Sequence, residues 1–295
     1  MEKKFFIGAM LILFFVVFTG CKSEVATQKS PDVVVEEVAE TMKQIDDVKI
    51  KTTIDMDVEN TTDNLKMNVV TSSALNNINN FSKLEGEVHN TIEIASGRSK
   101  AKKTRIDEFI SSEKGKTKVY RGINDLWFYD DITDYGQTGI MFPSEVLSSY
   151  VDLSSEMKFE PDAKVDTVDC KVVSLKVSPD MLKQITNISD ISVITGEAID
   201  AFSDSTKIKL YIGKKDNYLY RAELDLSNLL KAAYDGQSIP TTKSTYIMNI
   251  EYFGFNEKNN IQIAQDAREG ALSYEKSKEK VRMNLLADAD VAATP

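Results

Sequence analysis

Histidine occurs once in the 295 residues, at His89, and cysteine twice, at Cys21 and Cys170. Catalytic triads built on histidine, and zinc sites made of several His or Cys ligands, lose most of their parts at once. Glycine (13) and proline (6) are too sparse for a collagen-like, linker-like or low-complexity chain. Positive charge is also short. Lys and Arg number 36 against 46 Asp and Glu, a formal net charge of -10. A nucleic-acid partner needs a cationic surplus to neutralise phosphates, so the reading contains none. What is present is a folded composition, 42% hydrophobic and 28% charged. The length suits one large domain or two small ones.

The first feature along the chain is an address. Lys3 and Lys4 precede residues 5–18, a run without charged or polar side chains. A membrane-spanning helix takes about 20 apolar residues, so this run is short for a permanent anchor. A basic start and a short apolar core describe a secretory signal. The run ends at Phe18-Thr19-Gly20-Cys21. Small residues and then a cysteine, directly after the apolar core, resemble the lipobox of bacterial lipoproteins, with Phe18 where that family usually has Leu. The resemblance implies a thioether-linked diacylglyceryl group on Cys21 and cleavage just before it. An ordinary secretory signal with a chance cysteine is the alternative. The expected organisation is a signal peptide over 1–20, a lipidated tether over 21–30, a domain over 31–266, and a solvated helical or disordered tail over 267–295. Two acyl chains anchor stably where one is marginal, at ~0.8 kcal/mol per buried CH₂. The expected location is the extracytoplasmic face of the cell membrane.

Ser30-Pro31-Asp32 supplies a cap, a proline at the first helical position and an acid in the first turn. Val34, Val38, Met42 and Ile45 follow at helical spacing, predicting a helix over 31–46. The period then changes to two. Residues 48–58 alternate Val48, Ile50, Thr52, Ile54, Met56 and Val58 with Lys49, Lys51, Thr53, Asp55 and Asp57. Alternation returns in 65–71, 84–94, 102–110, 115–120 and 126–129, predicting an antiparallel meander. A short helix is expected after Pro143, and a strand over 165–177 whose apolar parity slips, placing a bulge near Val172–Val173. Ser178-Pro179-Asp180 repeats the helix-start pattern for a loose helical region over 179–202. Strands over 206–212, 218–226 and 245–255 complete the series, with a polar insertion and a possible helical turn at 229–234.

The motifs that resemble chemistry fail on spacing. Gly115-Lys116-Thr117 lacks the earlier glycine of a phosphate loop, that place being Ile110. Asp130, Asp131, Asp134 and Gly136 do not match a calcium loop, because Thr133 and Tyr135 fall on ligand positions. His89 lies in a strand with no second ligand near, and Cys170 reads as a small buried hydrophobe. No catalytic residue, metal or cofactor is expected.

The order of elements is similar to the LolA-like lipoprotein carriers and the mycobacterial LppX/LprG lipoproteins, and most closely resembles a family of Gram-positive lipoproteins of that kind. Three stretches carry the resemblance. Glu37-Val38-Ala39-Glu40-Thr41-Met42 leads into Val48-Lys49-Ile50-Lys51-Thr52. Val168-Asp169-Cys170-Lys171-Val172-Val173-Ser174-Leu175 precedes a Ser-Pro-Asp helix start. Leu210-Tyr211-Ile212-Gly213-Lys214-Lys215 runs into Tyr220-Arg221-Ala222-Glu223-Leu224. The resemblance implies an α+β half-barrel, a large curved antiparallel sheet wrapped around a few helices, with an apolar cavity for a lipid or lipidated molecule. Strand parity makes Ile54, Met56, Met67, Val69, Ile92 and Met248 its lining. An envelope interaction or sensor protein using the same fold as a scaffold is the other reading. If Cys21 carries the lipid, Cys21→Ala moves the protein from the membrane fraction to the soluble fraction or leaves an uncleaved precursor. Membrane retention of a processed variant would refute this.

Overall fold

The computed structural model describes residues 29–60, 64–97, 99–123, 126–134, 142–154, 156–178, 206–236 and 241–273. The chain divides into two units, Met1–Ser30 and Pro31–Pro295. Cys21 and the helical region expected over 179–202 lie outside the described residues, and everything below concerns the second unit.

Helix α1 is Pro31–Met42 and buries Val34, Val35, Val38, Ala39 and Met42, one stripe at helical spacing. It ends short of the expected residue 46. Gln44 and Ile45 donate to the carbonyls three residues back, a tightening that closes the last turn. Ile45 stays fully buried while Asp46 and Asp47 turn to other partners. Asn256 Oδ1 accepts from the Asp46 amide at 2.9 Å, and Asp47 Oδ1 from the Asn77 amide at 3.2 Å.

Twelve strands form one sheet, antiparallel except at one edge. The first six are a meander: β1 Val48–Asn60, β2 Asn64–Asn76, β3 Glu85–Ser96, β4 Lys102–Glu113, β5 Lys116–Ile123 and β6 Leu126–Ile132. Lys114 and Gly115, both at positive φ (53° and 77°), make the two-residue turn between β4 and β5. The chain then crosses to the far edge through α2, Pro143–Leu153, and returns inward as β7 Glu156–Val165, β8 Val168–Lys176, β9 Lys207–Gly213, β10 Leu219–Asp225 and β11 Thr241–Phe253. The returning strand β11 pairs with β1 over almost its whole length, so these two lie at the centre. Helix α3, Ser227–Gly236, fills the insertion before β11. It starts behind Asp225, whose Oδ1 accepts from the Ser227 amide at 3.0 Å.

A flat sheet of this size would be about 50 Å wide. Yet Val119 and Ile132 from one half share a single buried core with Leu175, Ile208 and Leu210 from the other, and with α1 and Leu147 of α2. A helix is only about 10 Å across. The sheet must therefore curl around its helices, which is the half-barrel expected from the sequence. The face bearing this core is called the inner face.

The expected bulge lies elsewhere. Strand β8 keeps continuous register with β9 from Cys170 to Lys176. The irregularity is in the partner strand β7, between Glu160 and Ala163, and contains Pro161. Proline removes a ladder donor, and an edge strand tolerates that. The parity slip in β8 has a different cause, burial on both faces. Val173 and Leu175 enter the main core, while Cys170 and Val172 are buried outside it.

A second, smaller apolar cluster lies on the outer face of β4–β6. Phe109, Tyr120, Trp127 and Tyr129 are covered by Ile263, Ala264, fully buried Ala267 and Ala271. The covering segment includes α4, Gln265–Gly270, and β12, Leu272–Ser273, which pairs in parallel with β6. Of the tail expected from residue 267, the part up to Ser273 is thus docked, and 274–295 lie outside the described residues. Trp127, the chain's single tryptophan, donates to Asp266 Oδ2 at 3.2 Å and lies flush on Gly122. A Cβ at Gly122 would stand 2.7 to 2.9 Å from three indole atoms. Gly122→Ala should lift the indole, shift tryptophan emission to the red and cost about 1–3 kcal/mol in chemical unfolding. Unchanged emission would refute the contact.

Candidate functional site

Partners across an antiparallel ladder share a face, so the register turns strand parity into rows. Met248, Ile54, Val69 and Ile92 are consecutive partners across β11, β1, β2 and β3, and form one inner-face row. Tyr246, Met56, Met67 and Ile94 form the next. All six residues singled out by the sequence therefore lie side by side on the inner face.

They differ in cover. Met248 is 2% exposed and belongs to the core. Ile54, Met56, Met67, Val69 and Ile92 are half-buried. The divide follows the sheet. On β9–β11 the inner face is closed, with Ile208, Leu210, Ala222, Leu224 and Ile250 fully buried. On β1–β6 the inner face is closed at the far end of β1 by Val58, and at the end holding Val48, Leu75, Ile110 and Val119. Gly86 fits between Leu75 and Ile110 there, where a Cβ would come within 2.7 Å of Leu75. Beyond that end the register adds four residues to the open surface. Ile94 is 42% exposed and Leu126 56%, with half-buried Ile106 and Ile123 between Asn90 and Leu126 in their row. The result is an apolar surface spanning six strands on the helix side of the sheet.

Polar side chains interrupt it: half-buried Thr104 and exposed Lys102 stand opposite Ile92 and Ile94 on β4, and two bonded pairs lie nearer the closed end. Thr71 Oγ1 donates to Asn90 Oδ1 at 2.5 Å. One row toward the closed end, Glu108 and Arg121 are direct partners on the inner face, and Arg121 Nε donates to Glu108 Oε2 at 3.2 Å. Burial pushes the Glu108 carboxyl above its ordinary value of 4.5, against the pull of Arg121.

The outer face is chemically different. Lys243 bridges to Asp57 at 2.5 Å, Lys209 to Glu223 at 3.0 Å and Arg221 to Glu251 at 2.6 Å. The bond from Lys243 leads the effects that hold the Asp57 carboxyl below its usual range. A depression of about 390 Å³ opens on this face, lined by Asp55, Asp57, Lys66, Asn68, Glu93 and Thr245 among others. Its lining is more apolar than polar and also includes Ala95 and, from the apolar rows, Met56 and Met67. His89 is also outside, its Nδ1 2.6 Å from Asp107 Oδ1, which accepts from Arg105 Nε at 2.8 Å. Cys170 is buried, and burial raises its thiol pKa. Among the described residues no three His, Cys, Asp or Glu side chains are grouped to hold a metal ion, and no helix is long and apolar enough to cross a membrane.

No family model and no curated protein matches the chain. Solved structures similar to it include LprF from Mycobacterium bovis, at 10% identity over 79% of this chain and 96% of that one, with a TM-score of 0.41. The lipoprotein LppX from Mycobacterium tuberculosis is 9% identical over 79% of this chain and all of that one, with a TM-score of 0.37. A LolA superfamily protein from Nitrosomonas europaea is 10% identical over 79% and 96%, with a TM-score of 0.21. The half-barrel itself rests on the strand order and the shared core.

Because its folded pKa is raised, Glu108 binds its proton more tightly in the native state than in the unfolded chain. Its effect on stability is least unfavourable below pH 4.5 and worsens as pH rises through the raised value. The stability of the native protein relative to Glu108→Gln should therefore fall as pH rises above about 4.5 in urea unfolding. A difference that grows with pH would refute this.

Proposed function

We propose that the chain is an extracytoplasmic lipoprotein, held at the cell membrane by acyl chains on Cys21, which binds a lipid or another apolar molecule on the inner face of its half-barrel. Membership of a Gram-positive lipoprotein family and a carrier role belong to the same proposal. One observation carries it. The inner face of β1–β6 leaves Ile54, Met56, Met67, Val69, Ile92, Ile94 and their neighbours half-buried or exposed, while the same face of β9–β11 is closed. A contiguous apolar surface of this kind marks a place where something else binds. Each acyl CH₂ that leaves water there gains ~0.8 kcal/mol. The closed end of the surface limits how far such a chain can run.

The face, not the strand, is what the function requires. Met67 points inward beside Met56 and Ile94, and its neighbour Lys66 points outward toward Asp57. Met67→Arg should weaken binding of a fluorescent fatty acid at least tenfold while thermal unfolding stays cooperative. Lys66→Arg should leave it unchanged. Equal effects at both positions would remove the inner face as the site. If the native protein binds no acyl probe and organic extracts of it contain no lipid by mass spectrometry, the scaffold reading replaces this one.

A further inference from the structure

Resting on that reading, we propose that the Glu108–Arg121 pair is a headgroup subsite, and that the ligand is a single-chain amphiphile ending in an anionic group that Arg121 receives. The ion pairs of β1, β9, β10 and β11 described above lie on the wet outer face. Glu108 and Arg121 instead occupy inward positions in the row Ile50, Ser73, Val88, Glu108, Arg121, Phe128. Their side chains are 17% and 27% exposed. Two charges taken this far out of water cost more than they return in stability, and apolar replacements commonly serve a core as well or better. Arg221 of the outer-face pair is covered to the same degree as Arg121, but here the pair sits among inward apolar side chains, where stability gives little reason for it.

Its place supplies one. The next row toward the open end contains Ile106, Ile123 and Leu126, about 7 Å away along the strands. The next row the other way is closed by Ile110 and Val119. An acyl chain lying across Ile92, Ile94, Ile106 and Ile123 therefore meets this pair where the apolar surface stops. Arg121 is the more exposed member, so an arriving head reaches the guanidinium first. A planar guanidinium matches a carboxylate or phosphate edge in two-point geometry, and the partly desolvated setting strengthens that contact. Glu108 then acts as the internal counterion that the ligand displaces. A neutral head would leave both partners as they are, and so gains nothing from the site.

The test compares a fatty acid labelled at its methyl end with the methyl ester of the same probe, on the purified full chain. The native protein should bind the free acid roughly tenfold more tightly, the scale of one charged hydrogen bond. Arg121→Gln should bring the two probes within about twofold by weakening only the acid, and Arg121→Lys should keep part of the preference. Glu108→Gln should strengthen the acid and leave the ester alone. If Arg121→Gln does not fold, the double variant Glu108→Leu/Arg121→Leu removes both charges and should bind the ester like the native protein, without preference. Equal native affinity for acid and ester, or a preference that survives Arg121→Gln, overturns the headgroup subsite and leaves the apolar surface standing. Failure of the native protein to bind either probe overturns both.

Discussion

The pairing of β1 with β11 is the constraint on which the rest of the structure depends. It joins the outgoing meander to the returning one, and without it two half-sheets would share no edge. Its register runs from Lys49–Phe253 to Glu59–Lys243 without a break. Ile50, Ile54 and Val58 are thereby set on the same side as Met248, Ile250 and Tyr252. A slip of one residue would turn Lys49, Lys51, Asp55 and Asp57 into the core. On the outer face Asp57 meets Lys243 diagonally across the same pair, and a one-residue slip would carry Asp57 away from that face. Such partly exposed pairs contribute little stability individually. What they add is a penalty on the wrong alignment.

The two faces divide the work. Outside, alternating charges keep the sheet wet, and the aromatic cluster around Trp127 ties down the segment that follows β11. Inside, residues of α1, α2 and α3 share one core with both halves of the sheet; that core fills β9–β11 and reaches both ends of β1. The open surface is what remains after that cover is distributed. Its position thus follows from where the helices lie, not from any particular motif.

How much of this was legible in the sequence depends on how strongly each segment alternates. β1, β2 and β11 have one wet face and one dry face, so period two exposes them, and the half-barrel follows from their number and order. β8 is dry on both faces, and its pattern imitates a bulge that lies in β7 instead. Parity also places Ile54, Met67 and Met248 on one face correctly, but it does not say how far along each strand the cover extends. That is a tertiary matter, and it separates buried Met248 from half-buried Ile54 in the same row. The Glu108–Arg121 pair could have been found by counting outward from the Lys114-Gly115 turn. Ser112 opposes Thr117, so Glu108 opposes Arg121. Charges at inward parity are easily read as interruptions when no partner strand has been assigned.

The central pair has a cost in time. Asp57 and Lys243, which meet across it, are 186 residues apart in sequence. A chain synthesised from its N-terminus presents β1 and its hairpin long before β11 arrives. During that interval one edge of a long, half-apolar strand has no native partner, and such edges recruit other chains. Closing so distant a contact is intrinsically slow. Lys49, Lys51, Asp55, Asp57 and Glu59 along β1 act as gatekeepers over this period, because their charges discourage foreign strands from stacking. The outward charges of β1 therefore matter to the nascent chain before they matter to the finished sheet. They keep the central seam unclaimed until its own last strand is available.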